Sequence, residues 1–323
     1  MNNTLKKPFS LPLGTKVKGK WHKECYTIVK ELGYGANGVV YLAQCNSGEV
    51  ALKICDNSYS VTSEVNVLKA FMNVKGTNLA PSLMDVDDWQ TRERIVPFYT
   101  MEFIKGPNVR VFVDKKGFAW VPVLMLQLLA NLDEMHREGW VFGDLKPDNL
   151  IVTGPPYKIR CIDVGGTTMK GRGIKEFTEF FDRGYWGMGS RKADERYDLF
   201  AIGMIMINLA YGKQIEKKAG GIHQLNQIVE QNNELIPYKH IVQYALRGKY
   251  QSANDMRKDI IELMSNKVSS HSRNKGKGQK HVKSSPSRYK KRKQSKWAHR
   301  LETLLVVLIL GFLYFLYIYG EIL

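Results

Sequence analysis

Between Val141 and Asn149 the chain reads Val-Phe-Gly-Asp-Leu-Lys-Pro-Asp-Asn, setting an aspartate, a lysine two residues on and an asparagine five residues on in one short loop. A turn there brings all three side chains to one side. Asp144 can then accept a hydroxyl proton, Lys146 can hold a moving phosphoryl group and Asn149 can complete a Mg²⁺ shell, which is the requirement of metal-assisted phosphoryl transfer. A solvated polar loop is the plain alternative, and the presence or absence of phosphate-binding parts elsewhere decides between the two.

Those parts occur upstream in the expected order. Leu32-Gly33-Tyr34-Gly35-Ala36-Asn37-Gly38-Val39-Val40-Tyr41 places three glycines between two β-rich runs, so backbone N–H groups can approach phosphates without side-chain obstruction. A dinucleotide site needs a helix next. Here Val39 to Leu42 and Val50 to Ile54 read as strands, so the glycines belong to a hairpin. On the second strand, Ala51-Leu52-Lys53-Ile54 holds a single lysine in an apolar run, suited to the α and β phosphates of ATP. A snorkelling surface lysine is the competing reading. Glu64 is expected to open a helix behind Ser and Thr caps and to pair with Lys53, although acids in first helical turns also serve the helix dipole.

Downstream, Arg160-Cys161-Ile162-Asp163-Val164-Gly165 follows a short strand and supplies a carboxylate at a turn. Asp163 is the second expected Mg²⁺ ligand with Asn149. Tyr197-Asp198-Leu199-Phe200-Ala201-Ile202-Gly203 opens an apolar helix, from which Asp198 would brace the catalytic loop from below.

Taken in order, these motifs resemble the protein kinases of the bacterial serine/threonine type, over about Tyr26 to Leu263. The resemblance implies an α+β, two-lobed protein-kinase-like fold, with the kinase domain at 21–264, its N-lobe ending near 104 and its C-lobe spanning 105–264. It implies ATP and Mg²⁺ as cofactors and protein substrates, with Lys146 favouring Ser/Thr over Tyr. The ATP-binding set it implies is Gly33, Gly35, Gly38, Val40, Ala51, Lys53 and Glu64, together with the hinge residues Glu102 and Ile104 in Met101-Glu102-Phe103-Ile104. His136 ends the helix before the catalytic loop, as in that family. More narrowly, the whole chain resembles the membrane-anchored, DNA-responsive, sporulation-associated kinases of spore-forming bacilli, which lack an external sensor domain.

The chain departs from the family pattern in three places. The usual His-Arg-Asp reads Phe142-Gly143-Asp144, so the cation that normally grips an activation-loop phosphate is missing, and another activation route is expected. Val164 replaces the Phe of Asp-Phe-Gly. The segment that normally ends Ala-Pro-Glu reads Gly184-Tyr185-Trp186-Gly187-Met188-Gly189, and its usual Arg partner near Tyr250 to Ala253 is missing too. Losing both members of a buried pair is far less costly than losing one, which strands a charge at roughly 3 to 5 kcal/mol. Thr167, Thr168 and Thr178 are the candidate autophosphorylation positions.

A chain of 323 residues, 44% hydrophobic, accommodates one two-lobed domain and a tail, and four cysteines without paired spacing argue against disulfides or zinc. Residues 1–20 are polar and broken by Pro8, Pro12, Gly14 and Gly19, so they read as a flexible arm without a signal peptide. Val121 to Arg137 is the clearest helix, with Pro122 in its first turn, Leu124, Leu128, Leu132 and Met135 on one face and Gly139 after it. Further helical patterns run from Tyr197 to Ala210 and from Leu225 to Met264.

After Met264 the composition changes abruptly. Lys267 to Arg300 carries 13 Lys or Arg and no Asp or Glu, so residues 265–300 are expected to form a disordered basic segment. Of the net charge of +17 this stretch supplies +13 and Glu302 with Glu321 remove 2, which leaves +6 on residues 1–266. Thr303 to Gly320 is uncharged and spans about 27 Å as a helix, close to a bilayer core, and is expected to be one transmembrane helix. By the positive-inside rule the kinase domain stays cytoplasmic and the C-terminus lies outside the cell membrane. The basic segment is expected to meet anionic membrane lipids, and also DNA, through Arg288, Lys290, Lys291, Arg292 and Lys293 with Tyr289 and Trp297 available to stack. Three rival functions stand beside the kinase: a pseudokinase scaffold, a small-molecule kinase and a DNA–membrane tether. The oligomeric state has no signature in the sequence.

Overall fold

The computed structural model describes residues 10–35, 38–73 and 79–274. Its first half is an antiparallel sheet built from β1 (Lys16–Lys18), β2 (Cys25–Gly35), β3 (Gly38–Cys45), β4 (Gly48–Cys55), β5 (Leu83–Gln90) and β6 (Ile95–Glu102), in the order β1-β2-β3-β4-β6-β5. The strand period of two sorts β4 between two cores. Val50, Leu52 and Ile54 join Val39, Tyr41 and Phe98 on one face, whereas Ala51 and Cys55 join the core shared with α1 (Ser58–Asn73). Lys53 is on that second face, where its ammonium meets α1.

The second half is mainly helical. It comprises α2 (Val109–Lys116), α3 (Trp120–Arg137), α4 (Glu195–Tyr211), α5 (Gly221–Gln231), α6 (Lys239–Leu246) and α7 (Ala253–Asn274). Two small antiparallel pairs frame the loops between α3 and α4: β7 (Trp140–Val141) with β10 (Thr168–Met169), and β8 (Leu150–Thr153) with β9 (Lys158–Cys161). In α3, Leu124, Leu128 and Leu132 are fully buried, as their spacing predicts, and Gly139 past its end takes a φ of +80°. Helix α4 is started by the Asp194 side chain, which accepts from Tyr197 N at 3.2 Å, and stopped by Gly212 at φ +68°. Every residue from Tyr197 to Leu209 is buried, which makes α4 the central post of the lower lobe.

Three sequence expectations are corrected here. Glu64 is not in the first turn of its helix but well inside α1, because the helix begins at Ser58. The arm over residues 1–20 is not free along its length: β1 pairs with β2 and Val17 is fully buried, while residues 1–9 lie outside the description. Asp87 fastens this region by accepting from the backbone N–H groups of Trp21 and His22 at 2.9 and 2.8 Å, and Asp85 takes the Tyr26 hydroxyl at 2.8 Å. Finally, α7 continues past Met264 to Asn274, so the first part of the basic segment is helical. The contiguous Lys/Arg/Glu/Asp-poor apolar stretch at 303–320 and the cationic run at 288–293 lie outside the described residues. Among the described residues no helix is long and apolar enough to cross a membrane.

Candidate active site

The glycine hairpin closes where Gly35 pairs with Gly38 and Gly33 with Val40. Gly38 is required there: its φ is +143°, and a Cβ would sit 2.0 Å from the Ile54 carbonyl oxygen. In the next strand Val40 lies opposite Lys53, and Ala51 lies opposite Met101 on β6. The Lys53 ammonium donates to Glu64 Oε2 at 2.6 Å, with both residues more than nine-tenths buried. Burial pushes the Lys53 pKa down, but the Glu64 carboxylate and then Asp163 outweigh it, so the net shift is upward and the group stays charged.

Below the cleft, Asp144 is held from two sides. Lys146 Nζ donates to its Oδ2 at 2.5 Å and the Thr178 hydroxyl donates to its Oδ1 at 3.0 Å, while Lys146 also reaches Thr178 Oγ1 at 3.0 Å. Asn149, inside a single 3-10 turn over Pro147–Asn149, turns its amide to the Asp144 carbonyl at 3.2 Å. The loop rests on Asp198, whose carboxylate accepts from Phe142 N at 2.8 Å, Gly143 N at 2.9 Å and His136 Nε2 at 2.9 Å. Gly143, the residue standing where the family has Arg, has a φ of +87°, and a Cβ there would lie 2.7 Å from the Gly166 carbonyl oxygen. An arginine does not fit this backbone.

Asp163 is exposed, with its Oδ1 accepting from Gly165 N at 2.9 Å, and Val164 next to it is buried as expected. At the hinge Ile104 is buried and Glu102 is engaged by a residue that sequence reasoning did not single out. The Arg160 guanidinium donates to Glu102 Oε1 at 3.1 Å and to Oε2 at 2.8 Å, and also to the Ala80 carbonyl at 2.9 Å. This pair links the strand before Asp163 to the hinge, and Arg160 holds the Glu102 carboxyl below its ordinary range.

The segment from Asp163 to Asp194 holds further surprises. Thr167 and Thr168 are buried, at 0% and 2% exposure, and Thr168 is part of β10. Neither hydroxyl is open to a kinase in this conformation, and Thr178 is spent on Asp144. In place of the missing Ala-Pro-Glu pair, two local ion pairs fold the segment. Arg183 forms a fork with Asp194, both N–H···O distances being 2.8 Å, and the fully buried Asp182 accepts from Arg191 Nε at 2.7 Å, the Tyr197 hydroxyl at 2.8 Å and Tyr185 N at 2.8 Å. The alternating Asp-Arg and Arg-Asp pattern at 182–183 and 191–194 was the only available sign of these pairs, and its meaning depends on the chain doubling back.

Two lobes joined by a hinge, with a lysine–glutamate pair above and an aspartate–lysine–asparagine loop below, define a phosphotransferase of the protein-kinase type. The protein kinase domain family matches residues 26–281, and the chain belongs to that family. It is 49% identical over 322 residues to the serine/threonine-protein kinase YabT of Bacillus subtilis (strain 168), covering 96% of this chain and 95% of that protein. More distant similarity links it to the putative cyclin-dependent kinase F-2 of Oryza sativa subsp. japonica, 26% identical over 225 residues (64% of this chain, 68% of that protein), and to sperm motility kinase 3A of Mus musculus, 25% identical over 250 residues (74% and 45%). Protein kinases use ATP with Mg²⁺. The site fits them: a charged lysine backs the cleft, and the side chains of Asn149 and Asp163 carry the oxygen donors that Mg²⁺ prefers.

Proposed function

We infer that this protein kinase transfers phosphate to Ser or Thr residues of proteins, itself included, and that it works at the cytoplasmic face of the cell membrane. When bound, ATP supplies the γ-phosphoryl group and Mg²⁺ neutralises charge on its phosphate oxygens. Asp144 Oδ receives the proton of the acceptor hydroxyl, held for that task by Lys146 and Thr178. Lys146 offers its ammonium to the group in transfer, Lys53 offers its own to the phosphates upstream, and Glu64 keeps Lys53 from collapsing into the cleft. Asn149 and Asp163 are the metal ligands in this reading, and the glycines at 33, 35 and 38 give the triphosphate a backbone cover.

The single observation that carries the reading is the buried Lys53–Glu64 contact of 2.6 Å, in one molecule with the Asp144–Lys146–Thr178 cluster. A pseudokinase has no need to keep all of these groups. Incorporation of labelled phosphate into a general Ser/Thr protein substrate tests it: Asp144→Asn is expected to lower kcat about 100- to 10,000-fold, the usual worth of a positioned base. Unchanged transfer in that variant, or transfer to small alcohols instead of protein, overturns the assignment. Membrane anchoring by residues 303–320 and stimulation of the kinase by DNA on the cationic run at 288–293 belong to the same proposal. Both are supported by charge and apolar patterning; a salt series on forms with and without the cationic run tests the DNA part, and release of the full chain from membranes by detergent but not by high salt tests the anchor.

A further inference from the structure

Tyr99 sits on β6 directly opposite Lys53, so both side chains leave the sheet on the face that α1 covers. Its hydroxyl donates to Glu64 Oε2 at 2.5 Å, the same oxygen that takes the Lys53 ammonium at 2.6 Å. All three residues are more than nine-tenths buried, and among the described residues Glu64 Oε1 has no hydrogen-bond partner. The whole attachment of this carboxylate to the sheet therefore passes through one oxygen with two donors. Burial first, and the Glu64 charge second, push the Tyr99 phenol well above its ordinary value, so it remains a proton donor at any working pH.

Among the described residues, helix α1 has little else polar to fix it in place. Lys175 donates to Ser63 Oγ at 3.2 Å in an exposed contact, which contributes little because water competes for both groups. The Phe142-Gly143-Asp144 sequence offers no cation with which a phosphorylated activation segment could be gripped to pull α1 inward. We propose that Tyr99 is a positioning residue for phosphoryl transfer: its hydroxyl clamps Glu64, and through Glu64 fixes α1 and the Lys53 ammonium in the productive place without any phosphate on the segment. A carboxylate held by one donor has freedom to rotate about its Oε2 contact, whereas two donors from the same sheet define its plane. Small misplacements of this kind carry large rate penalties.

The inference rests on the kinase reading of Lys53 and Glu64, and a double-mutant cycle separates the two. Full-length protein in detergent is compared as wild type, Tyr99→Phe, Glu64→Gln and the combined variant, with rates read well below the lowest thermal midpoint of the four. Tyr99→Phe keeps the ring and is expected to lower kcat about tenfold, the worth of one hydrogen bond to a charged group, while KM for the protein substrate stays within twofold. In the Glu64→Gln background the same change is expected to cost less than about twofold, because the clamp is already broken. Equal losses in both backgrounds mean that the hydroxyl acts independently of Glu64, and a Tyr99→Phe rate within twofold of wild type means that the hydroxyl is idle; either overturns the proposal. Lys53→Met serves as the control: should it transfer phosphate at the wild-type rate, the kinase reading of this pair fails and the Tyr99 proposal with it.

Discussion

Thr178 shows how a residue's partners change its meaning. In the sequence it is a loop threonine available for modification, yet its hydroxyl lies between Asp144 Oδ1 and Lys146 Nζ at 3.0 Å from each. A hydroxyl is both donor and acceptor, so it can bridge an acid and an ammonium, which neither an acid nor an aliphatic side chain can do. Thr178→Val, nearly isosteric, is expected to lower kcat about tenfold with KM for ATP unchanged, since one hydrogen bond to the charged Asp144 is lost. Thr178→Glu brings a second carboxylate against Asp144 and is expected to cost more than the valine variant. An activated Thr178→Glu enzyme in steady-state assays would identify Thr178 as a phosphorylation switch instead.

At the scale of elements, the segment between Asp163 and α4 is folded by its own charges. Burial alone would raise the Asp182 carboxyl, but Arg191, Tyr197 and the backbone N–H groups of Gly184 and Tyr185 outweigh it, and its pKa falls below the ordinary 3.8. Asp194 is lowered in the same way, with Arg183 overcoming burial. Groups with depressed folded-state values contribute stability that is present above the ordinary carboxylate value and is lost as pH falls through the folded value. The thermal midpoint is therefore expected to hold from neutrality down to about pH 4 and to drop below it. Asp182→Asn is expected to lower the midpoint at pH 7 and to shrink the additional drop between pH 4 and 3, as followed by circular dichroism. A variant with an unaltered acid limb shows that Asp182 does not carry this stability. The Arg160–Glu102 fork acts between elements too, since it makes the hinge side chain a strut to β9.

For the molecule as a whole, charge is concentrated where the packed domain stops. Residues 1–266 carry +6 of the net +17, and Lys267 to Arg300 supply 13 cations with no acid among them. Because α7 is described as far as Asn274, a form ending at Asn274 keeps all of that described helix while losing the densest run, Arg288 to Lys293. Against a form ending at Arg300 it is expected to lose duplex-DNA affinity and DNA stimulation together. If the five cations of that run each neutralise a phosphate, the log affinity of the longer form falls against log salt with a slope of about −4.5. Equal binding and equal stimulation of the two forms would remove the tail from the account.

The order of the chemical groups along the chain was legible from the start, because each belongs to a local pattern: glycines around a hairpin, a lysine in an apolar strand, Asp144 through Asn149 in one loop, Asp163 after a short strand, Asp198 near the start of an apolar helix. Local patterns are set by backbone sterics and periodicity within a few residues, and these survive in the bare sequence. The placing of α1 was less legible, since Glu64 reads equally well as a first-turn acid. What lay beyond the sequence were partnerships between residues that no period connects: Tyr99 with Glu64 across 35 positions, Arg160 with Glu102 across 58, Thr178 with Asp144 across 34. A tyrosine in an apolar strand or a threonine in a loop carries no mark of its partner, because the partner is chosen by strand register and by the path of the returning chain. The sequence by itself determined which chemistry the protein carries; only the tertiary structure decided which neutral hydroxyls hold its charges in place, since a hydrogen bond acts over about 3 Å and only the folded chain brings such atoms that close.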